Sequence, residues 1–223
     1  MINFRQFKKD ALSQLKGKWK VPVLVSILIL AICYSISYAL SKSDFLLREH
    51  GKYQFLINIL FCGVSGIITT AAAYFFLKMS RTQEQMSFND FLVGIGDYYL
   101  SGILGFLWYF LWVTLWSLLF VIPGIVKSIS YSMMFYIIVE NPGISVTKAM
   151  NISKVMTAGH KADLFGLGMS FIGWFILSCL SCGIGFFWLC PYVSLTYANA
   201  YTALKMEAIQ RGILKPSDFT ELN

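Results

Sequence analysis

The sequence predicts an all-α integral membrane protein: a bundle of about six transmembrane helices, with two or three amphipathic helices at the membrane surface. The first observation is composition, because 57% of the 223 residues are hydrophobic and 13% are charged, against roughly 25% charged in soluble domains. The second is a series of uncharged runs long enough to cross about 30 Å of hydrocarbon. Because a soluble fold leaves roughly a third of its chain surface in water, this apolar excess must face lipid. That excludes a soluble enzyme, a nucleic-acid-binding domain and a disordered tail.

Residues 1–20 predict an amphipathic helix lying in the membrane interface. Its apolar residues recur at spacings of three and four, which places them on one helical face; they are Phe4, Phe7, Ala11, Leu12, Leu15 and Trp19. The lysines are candidate contacts to lipid phosphates, since a lysine stem can extend its charge toward the headgroups; they include Lys8, Lys9, Lys16 and Lys18. A solvated basic arm is the alternative interpretation.

Six apolar runs predict one transmembrane domain over residues 21–204, followed by a cytoplasmic tail over 205–223. The predicted spans are residues 21–40, 55–77, 101–122, 125–139, 164–182 and 186–204. Turns are expected at Pro123-Gly124 and at Gly183 and Gly185, and Pro191 is expected to interrupt the last span. The third and fourth runs form either a tight antiparallel hairpin, which their combined length favours, or one helix kinked at Pro123.

Two polar stretches between the spans predict further amphipathic helices. The first has its apolar side chains over residues 86–95 and is expected to end at Gly94 and Gly96. The second covers residues 145–158, with Gly159 as its C-terminal cap. A shift of 61 residues also aligns glycines and tyrosines of the two halves, for example Gly124 with Gly185. This pattern is either an internal repeat or a chance similarity of apolar segments.

The basic residues predict the orientation, since Lys and Arg concentrate on the cytoplasmic side of membrane proteins. Fourteen of the 18 Lys and Arg residues lie in the N-terminal segment, in the loops after spans two and four, or in the tail. Both termini are therefore predicted to be cytoplasmic.

Lys127 is the most informative single residue, because an ionisable side chain within a span usually faces a bundle interior or an aqueous cavity. Tyr131 lies one turn further along the same face, and Tyr192 is a candidate for the same polar interior. The alternative is that Lys127 extends to the outer surface. Glu140 lies at a predicted span boundary, where an acidic residue is unremarkable and indicates no particular function.

His160 and Lys161 precede span five and are candidate headgroup contacts. His160 with Asp163 also has the spacing of an acid–base pair, but no nucleophile or third ligand accompanies it. Cys179 and Cys182 form a C-x-x-C pattern inside an apolar run, where lipid disfavours the thiolate that redox chemistry needs. We therefore expect no catalytic residues, no metal site and no cofactor.

Three motifs in order make the chain resemble a known bacterial family. They are LLFVIPGIVKSISY over 118–131, GHKADLFGLGMSFIGW over 159–174 and GIGFFWLCPY over 183–192. From its basic N-terminal helix to Tyr201, the chain resembles multi-pass membrane proteins catalogued as domain of unknown function nine-seven-five, which occur mainly in Gram-positive bacteria. The resemblance implies a membrane fold and a bacterial plasma-membrane location. It implies no activity, substrate or catalytic residue.

The predicted function is that of a non-enzymatic membrane protein that binds lipid or a hydrophobic peptide and supports envelope homeostasis or a partner complex. Membrane lipids are the expected partners, other membrane proteins are left open, and nucleic acid is excluded. A small transporter or permease component with a polar cavity near Lys127 is the first alternative. A membrane-embedded enzyme is the second.

Overall fold

The computed structural model of the protein describes residues 4–46, 51–82, 84–215 and 219, and every regular element in these ranges is an α-helix. In chain order they are α1 Phe4–Leu15, α2 Lys20–Leu46, α3 Gly51–Arg81, α4 Phe88–Leu119, α5 Val121–Tyr131, α6 Met134–Glu140, α7 Val146–Met156, α8 Lys161–Met169, α9 Ile172–Leu180 and α10 Phe186–Gln210. The predicted all-α fold class is therefore confirmed.

Five helical segments of the described chain are long and apolar enough to cross a membrane: Lys20–Ala39, Ile57–Arg81, Phe88–Leu119, Val121–Glu140 and Lys161–Leu180. They overlap the first five predicted spans, but the third begins at Phe88 and so includes the stretch predicted as a separate amphipathic helix. The sixth predicted span, 186–204, lies in α10, which is more polar because it carries Thr196, Asn199 and Thr202. Contacts with α1, α2, α3, α7 and α9 surround α10, so neighbouring helices shield these groups from lipid. The count of six spans stays a prediction.

α3 and α4 approach each other closely through small residues. A Cβ atom on Gly66 would lie 2.3 Å from the carbonyl oxygen of Gly102, and one on Gly94 would lie 3.1 Å from the Cα of Ala71. The two backbones can come this close because these positions carry no side chain. The predicted helix end at Gly94 and Gly96 is wrong, since both lie inside α4, which runs unbroken for 32 residues.

The third and fourth predicted spans form an antiparallel hairpin and not a kinked helix. The chain reverses at Phe120, whose backbone is extended with φ −157° and ψ 143°. Pro123 and Gly124 follow in the first turn of α5, so the turn precedes the position predicted for it. Proline is accommodated there because a first helical turn has no N–H bond to lose. A Cβ atom on Gly124 would lie 3.0 Å from the Cα of Ser117, so glycine lets the two helices meet.

The α9–α10 hairpin has a similar glycine contact but a longer turn. Gly183 has φ +87° in the turn, a conformation that favours glycine, and the turn predicted at Gly183 and Gly185 is confirmed. A Cβ atom on Gly185 would lie 2.8 Å from the Cα of Ser178. Gly185 and Ser178 each lie 61 residues after Gly124 and Ser117, so the two contacts join corresponding positions of the 61-residue pattern. The 61-residue shift thus relates one contact in each hairpin, although the turns differ: the first passes through the extended Phe120 and the second through Gly183.

Two of the predicted continuous spans are divided, each at a serine. α5 ends before Ser132, whose hydroxyl donates to the carbonyl of Ile129, and α8 ends before Ser170, whose hydroxyl donates to the carbonyl of Leu167. Such bonds compete with the helical backbone ladder. Pro191 does not interrupt α10, which continues through it, because a membrane helix tolerates the loss of one backbone bond. The predicted interruption is wrong.

α1 packs against the protein through its apolar face. Ala11 and Leu15 are fully buried, whereas Leu12 remains 47% exposed. The side chains of Gln14 and Asn199 form a paired amide contact between α1 and α10, with N···O distances of 3.0 and 3.3 Å. Because amide groups bond strongly only in one geometry, this contact fixes the register of α1 on the bundle.

The predicted tail over 205–223 is partly structured. α10 continues to Gln210, and Leu214 and Phe219 are buried. The remaining residues of the tail, 216–218 and 220–223, lie outside the described part of the chain.

Candidate functional site

A buried carboxylate connects three helices at one end of the bundle. Glu140, the last residue of α6, is 1% exposed. Its Oε1 accepts hydrogen bonds from Arg81 Nη2 and from Lys205 Nζ, each at 2.6 Å, and its Oε2 accepts one from the hydroxyl of Tyr201. These four residues, called here the Glu140 cluster, hold the C-terminal ends of α3 and α6 against α10.

The local sequence explains why Glu140 lies at a helix end. Asn141-Pro142-Gly143 follows it, and a proline disfavours helical backbone in the residue before it. Gly143 adopts φ +86°, which favours glycine. Asn141 Nδ2 donates to the carbonyl of Ile137 at 2.9 Å and so satisfies one of the last carbonyls of α6.

The charged side chains of the Glu140 cluster attract one another, and the cluster keeps a net positive charge. A buried carboxylate is stable only when good geometry and further hydrogen bonds offset its desolvation, and the three donors on Glu140 supply both. Two cations face this single anion, and the side chains of Arg81 and Lys205 are 30% and 16% exposed. Lys205 Nζ also lies 4.5 Å from the ring centroid of Phe219, in a cation–π contact. The arrangement is suited to holding helices together, because every charged group in it already has a partner.

Other ion pairs of the described residues lie near the same ends of α3 and α10. Lys78 Nζ is 2.8 Å from Asp90 Oδ1. The ring of His160 lies between two carboxylates, with Nδ1 3.4 Å from Asp163 Oδ2 and Nε2 3.3 Å from Glu207 Oε1. His160 is 8% exposed, so it connects α8 to α10 from an inward position, and its predicted headgroup contact has no support in this geometry.

Lys127 is half-buried beside aromatic rings. Its Nζ lies 4.5 Å from the ring centroid of Trp116 and 6.0 Å from that of Tyr131, so cation–π attraction replaces part of the lost hydration. Tyr131 itself is buried. Tyr192 lies in another cluster, where its ring packs edge-on against Phe171 at 5.4 Å. The structure thus brings together two of the three residues predicted to form a polar interior.

A groove lined by tryptophan lies between the N-terminal helices and the α9–α10 hairpin. Its volume is about 480 Å³, within the range of small-molecule sites. The residues that define this tryptophan groove are Leu12, Trp19, Trp174, Ile184, Trp188 and Tyr192. Its surface is almost entirely apolar, so its chemistry suits a hydrocarbon chain or an apolar side chain.

Lys8 lies close to the wall of the tryptophan groove. Its Nζ donates to the carbonyl of Ser170 at 3.1 Å and lies 4.1 Å from the ring centroid of Phe171, which in turn packs on Tyr192. Desolvation in this half-buried position lowers the pKa of Lys8 below its usual value. The other lysines predicted to contact headgroups lie at exposed or half-buried positions: Lys9, Lys16, Lys18 and Lys161.

A second cavity, of about 350 Å³, lies between α2, α3, α6 and α10. Several small polar side chains line it: Ser26, Ser65, Thr69, Ser132 and Ser194, with the thiols of Cys33 and Cys190. Tyr136, also in its wall, donates from its hydroxyl to the carbonyl of Ser194 at 3.4 Å. Because hydroxyls of serine and threonine can satisfy their own helix backbone, this cavity is less polar than its composition suggests.

Within the described ranges the regular elements are all helices, and five segments are long and apolar enough to cross a membrane, which is the architecture of a multi-helix membrane protein. Residues 101–208 match the model of a family described as Protein of unknown function (DUF975). This match confirms the predicted resemblance to domain of unknown function nine-seven-five over both hairpins, and all three quoted motifs lie within it. The wider resemblance that includes the N-terminal helix stays a prediction. No curated protein and no solved structure matches the chain.

Proposed function

We propose that the protein crosses the bacterial plasma membrane six times, with both termini in the cytoplasm. The distribution of charge supports this orientation. The ends of α3 and α10 that carry the Glu140 cluster also carry Lys78, Arg211 and Glu207, and basic residues mark the cytoplasmic side. Charged groups at a helix end lie at headgroup depth, where their exposed parts remain hydrated.

We propose further that the protein is non-enzymatic and binds a lipid chain in the tryptophan groove. The observation that carries this proposal is the groove itself: about 480 Å³ of apolar space walled by three tryptophans and a tyrosine. Aromatic side chains offer large apolar contact area, and known ligand sites combine such walls with a few polar groups. A hydrophobic peptide is the other occupant with this chemistry, and membrane or envelope homeostasis is the role that such binding would serve.

The position of Lys8 supports an amphiphile as the occupant. Lys8 and Leu12 are four residues apart and lie on one face of α1, so a charged group stands next to the apolar wall. An amphiphile needs this combination, since its chain is buried while its headgroup stays at the polar boundary. The bond from Lys8 to the carbonyl of Ser170 holds the ammonium group in place when no ligand is present.

Occupancy of the groove can be tested with a substitution that fills it. Ile184→Trp places a large ring in the groove, while Ile122→Trp adds the same ring at a 75% exposed position in the first turn of α5. We expect Ile184→Trp to lower the amount of phosphatidylcholine that co-purifies in detergent and to reduce quenching of tryptophan fluorescence by bromine-labelled acyl chains. The Ile122→Trp control should behave as wild type. Equal lipid binding by all three proteins would refute the proposal, and displacement of lipid by a hydrophobic peptide would identify the other occupant.

Lipid binding has more support than the two alternatives that the sequence left open. The transport alternative expected a polar cavity around Lys127. Lys127 lines neither the tryptophan groove nor the cavity near Tyr136. Catalysis was suggested by His160 with Asp163, but His160 bridges that carboxylate and Glu207 as a connection between helices.

A further inference from the structure

The turn between α7 and α8, residues 157–160, is called here the corner, and it packs against α5. The hydroxyl of Ser153 donates to the carbonyl of Ser130 at 2.8 Å, and the hydroxyl of Thr157 approaches the same oxygen at 3.3 Å. Ser130, Ser153 and Thr157 are fully buried. These bonds hold the end of α7 beside the middle of the fourth membrane segment, so the corner packs against this segment.

This packing brings three lysines together. Lys127 lies one turn before Ser130 on α5, Lys154 follows Ser153 on α7, and Lys161 begins α8. Because α5 contacts both α7 and α8 and Ser153 bonds to Ser130, the three lysines lie around the same corner. Lys154 is exposed, and the other two side chains are half-buried.

The lysine triad has no acidic partner among the described residues. The ion pairs of this part of the chain involve other cations, and Asp163, the nearest acid in sequence, is engaged by His160. Like charges that converge in a partly desolvated place repel one another, and an anion would relieve this repulsion.

We propose that Lys127, Lys154 and Lys161 form a binding site for the phosphate of an anionic phospholipid. Lys127 belongs to a membrane segment, so the anion that reaches it must itself be held at the membrane. A phospholipid meets this condition, because its acyl chains hold its phosphate at the membrane, and long lysine side chains can extend toward that phosphate. The site rests on the proposed membrane placement but not on the tryptophan groove, from which it is separate.

The test uses the full chain in nanodiscs and in detergent, with phosphatidylglycerol as the probe and phosphatidylcholine as the neutral reference. In the variant Lys127→Gln, Lys154→Gln, Lys161→Gln, we expect the apparent affinity for phosphatidylglycerol, measured by native mass spectrometry, to fall at least about tenfold, since all three positive charges that attract the phosphate are removed. Binding of phosphatidylcholine in the groove should not change. The single variant Lys154→Gln, at an exposed position, should show part of the loss and guards against misfolding of the triple variant.

The matched control removes the same charge elsewhere, as Lys9→Gln, Lys20→Gln, Lys42→Gln, which are exposed positions on α1 and α2. Wild-type affinity in the triad variant, or an equal loss in the control, would overturn the proposal, because general attraction to an anionic surface would then explain the binding. Competition by inorganic phosphate or glycerol 3-phosphate at the same site would show a soluble anion as the ligand and would also overturn it. If filling the groove with Ile184→Trp removes neutral lipid while the triad still prefers phosphatidylglycerol, the groove and the triad are independent sites.

Discussion

Replacing Glu140 tests whether the Glu140 cluster holds the bundle together. Glu140→Gln removes the one carboxylate that faces Arg81 and Lys205, and it leaves both cations partly buried without an anion. Removing one partner of a buried ion pair costs about 3–5 kcal/mol. Since both cations are less than a third exposed, we expect the free energy of unfolding in mixed detergent micelles to fall by about this amount, as measured by tryptophan fluorescence during SDS titration.

Neutralising one cation should restore part of that stability. In the Glu140→Gln background, Lys205→Met removes an unpaired charge, so the double variant should be more stable than Glu140→Gln alone; coupled neighbours of this kind show interaction energies of about 0.5–3 kcal/mol. Asp97→Asn is the matched control, because it neutralises an exposed acid on α4, and exposed charges contribute at most about 1 kcal/mol. The reasoning is refuted if Glu140→Gln lies within about 1 kcal/mol of wild type, or if Lys205→Met lowers its stability further.

Three further predictions concern packing. Gln14→Ala should cost about 1–3 kcal/mol, because Asn199 is left with an unsatisfied amide, and limited proteolysis should then cut near α1 sooner; unchanged cleavage would contradict the predicted docking. Gly66→Leu should prevent correct assembly of α3 with α4, because its Cβ alone would overlap the facing backbone, and normal yield of folded protein would show that the two helices lie further apart. When the other cysteines are replaced by serine, a short bifunctional thiol reagent should join Cys33 to Cys190 across the 350 Å³ cavity. If no cross-link forms, α2 does not lie beside α10 as described.

Apolar runs predicted the helices well, because a helix that crosses the hydrocarbon needs about 20 consecutive apolar residues. Helix ends were predicted less well, because this requirement does not fix the residue at which a helix begins or ends. Gly94 and Gly96 have the sequence signature of a break, yet glycine inside a membrane helix also permits close packing, and only the position of Ala71 opposite Gly94 distinguishes the two uses. Pro123 similarly fits a turn or the first turn of a helix, and local sequence alone does not separate them.

Glu140 was missed because sequence spacing carries no information about partners on distant helices. Arg81 is 59 residues before it and Tyr201 is 61 residues after it. One signal was present: an acidic residue directly before Asn141-Pro142-Gly143 must lie at the end of a buried helix, where a charge needs a partner. For Lys127 the sequence did give a signal, because a charge within an apolar run is unusual. The sequence did not predict that Lys127 lies near Lys154 and Lys161, because this depends on the bonds from the corner to Ser130.

The 61-residue pattern relates two members of the Glu140 cluster to each other. Glu140 and Tyr201 are separated by the same 61 residues that relate Gly124 to Gly185, so they occupy equivalent positions in two similar hairpins. Two hairpins with similar helix packing could exchange places in a bundle, and a unique fold requires a difference between them. A carboxylate on one hairpin and a phenol that donates to it on the other supply this difference, since two carboxylates would repel and two phenols would leave Arg81 and Lys205 without an anion. The buried charge therefore distinguishes the two hairpins, both of which contact α3.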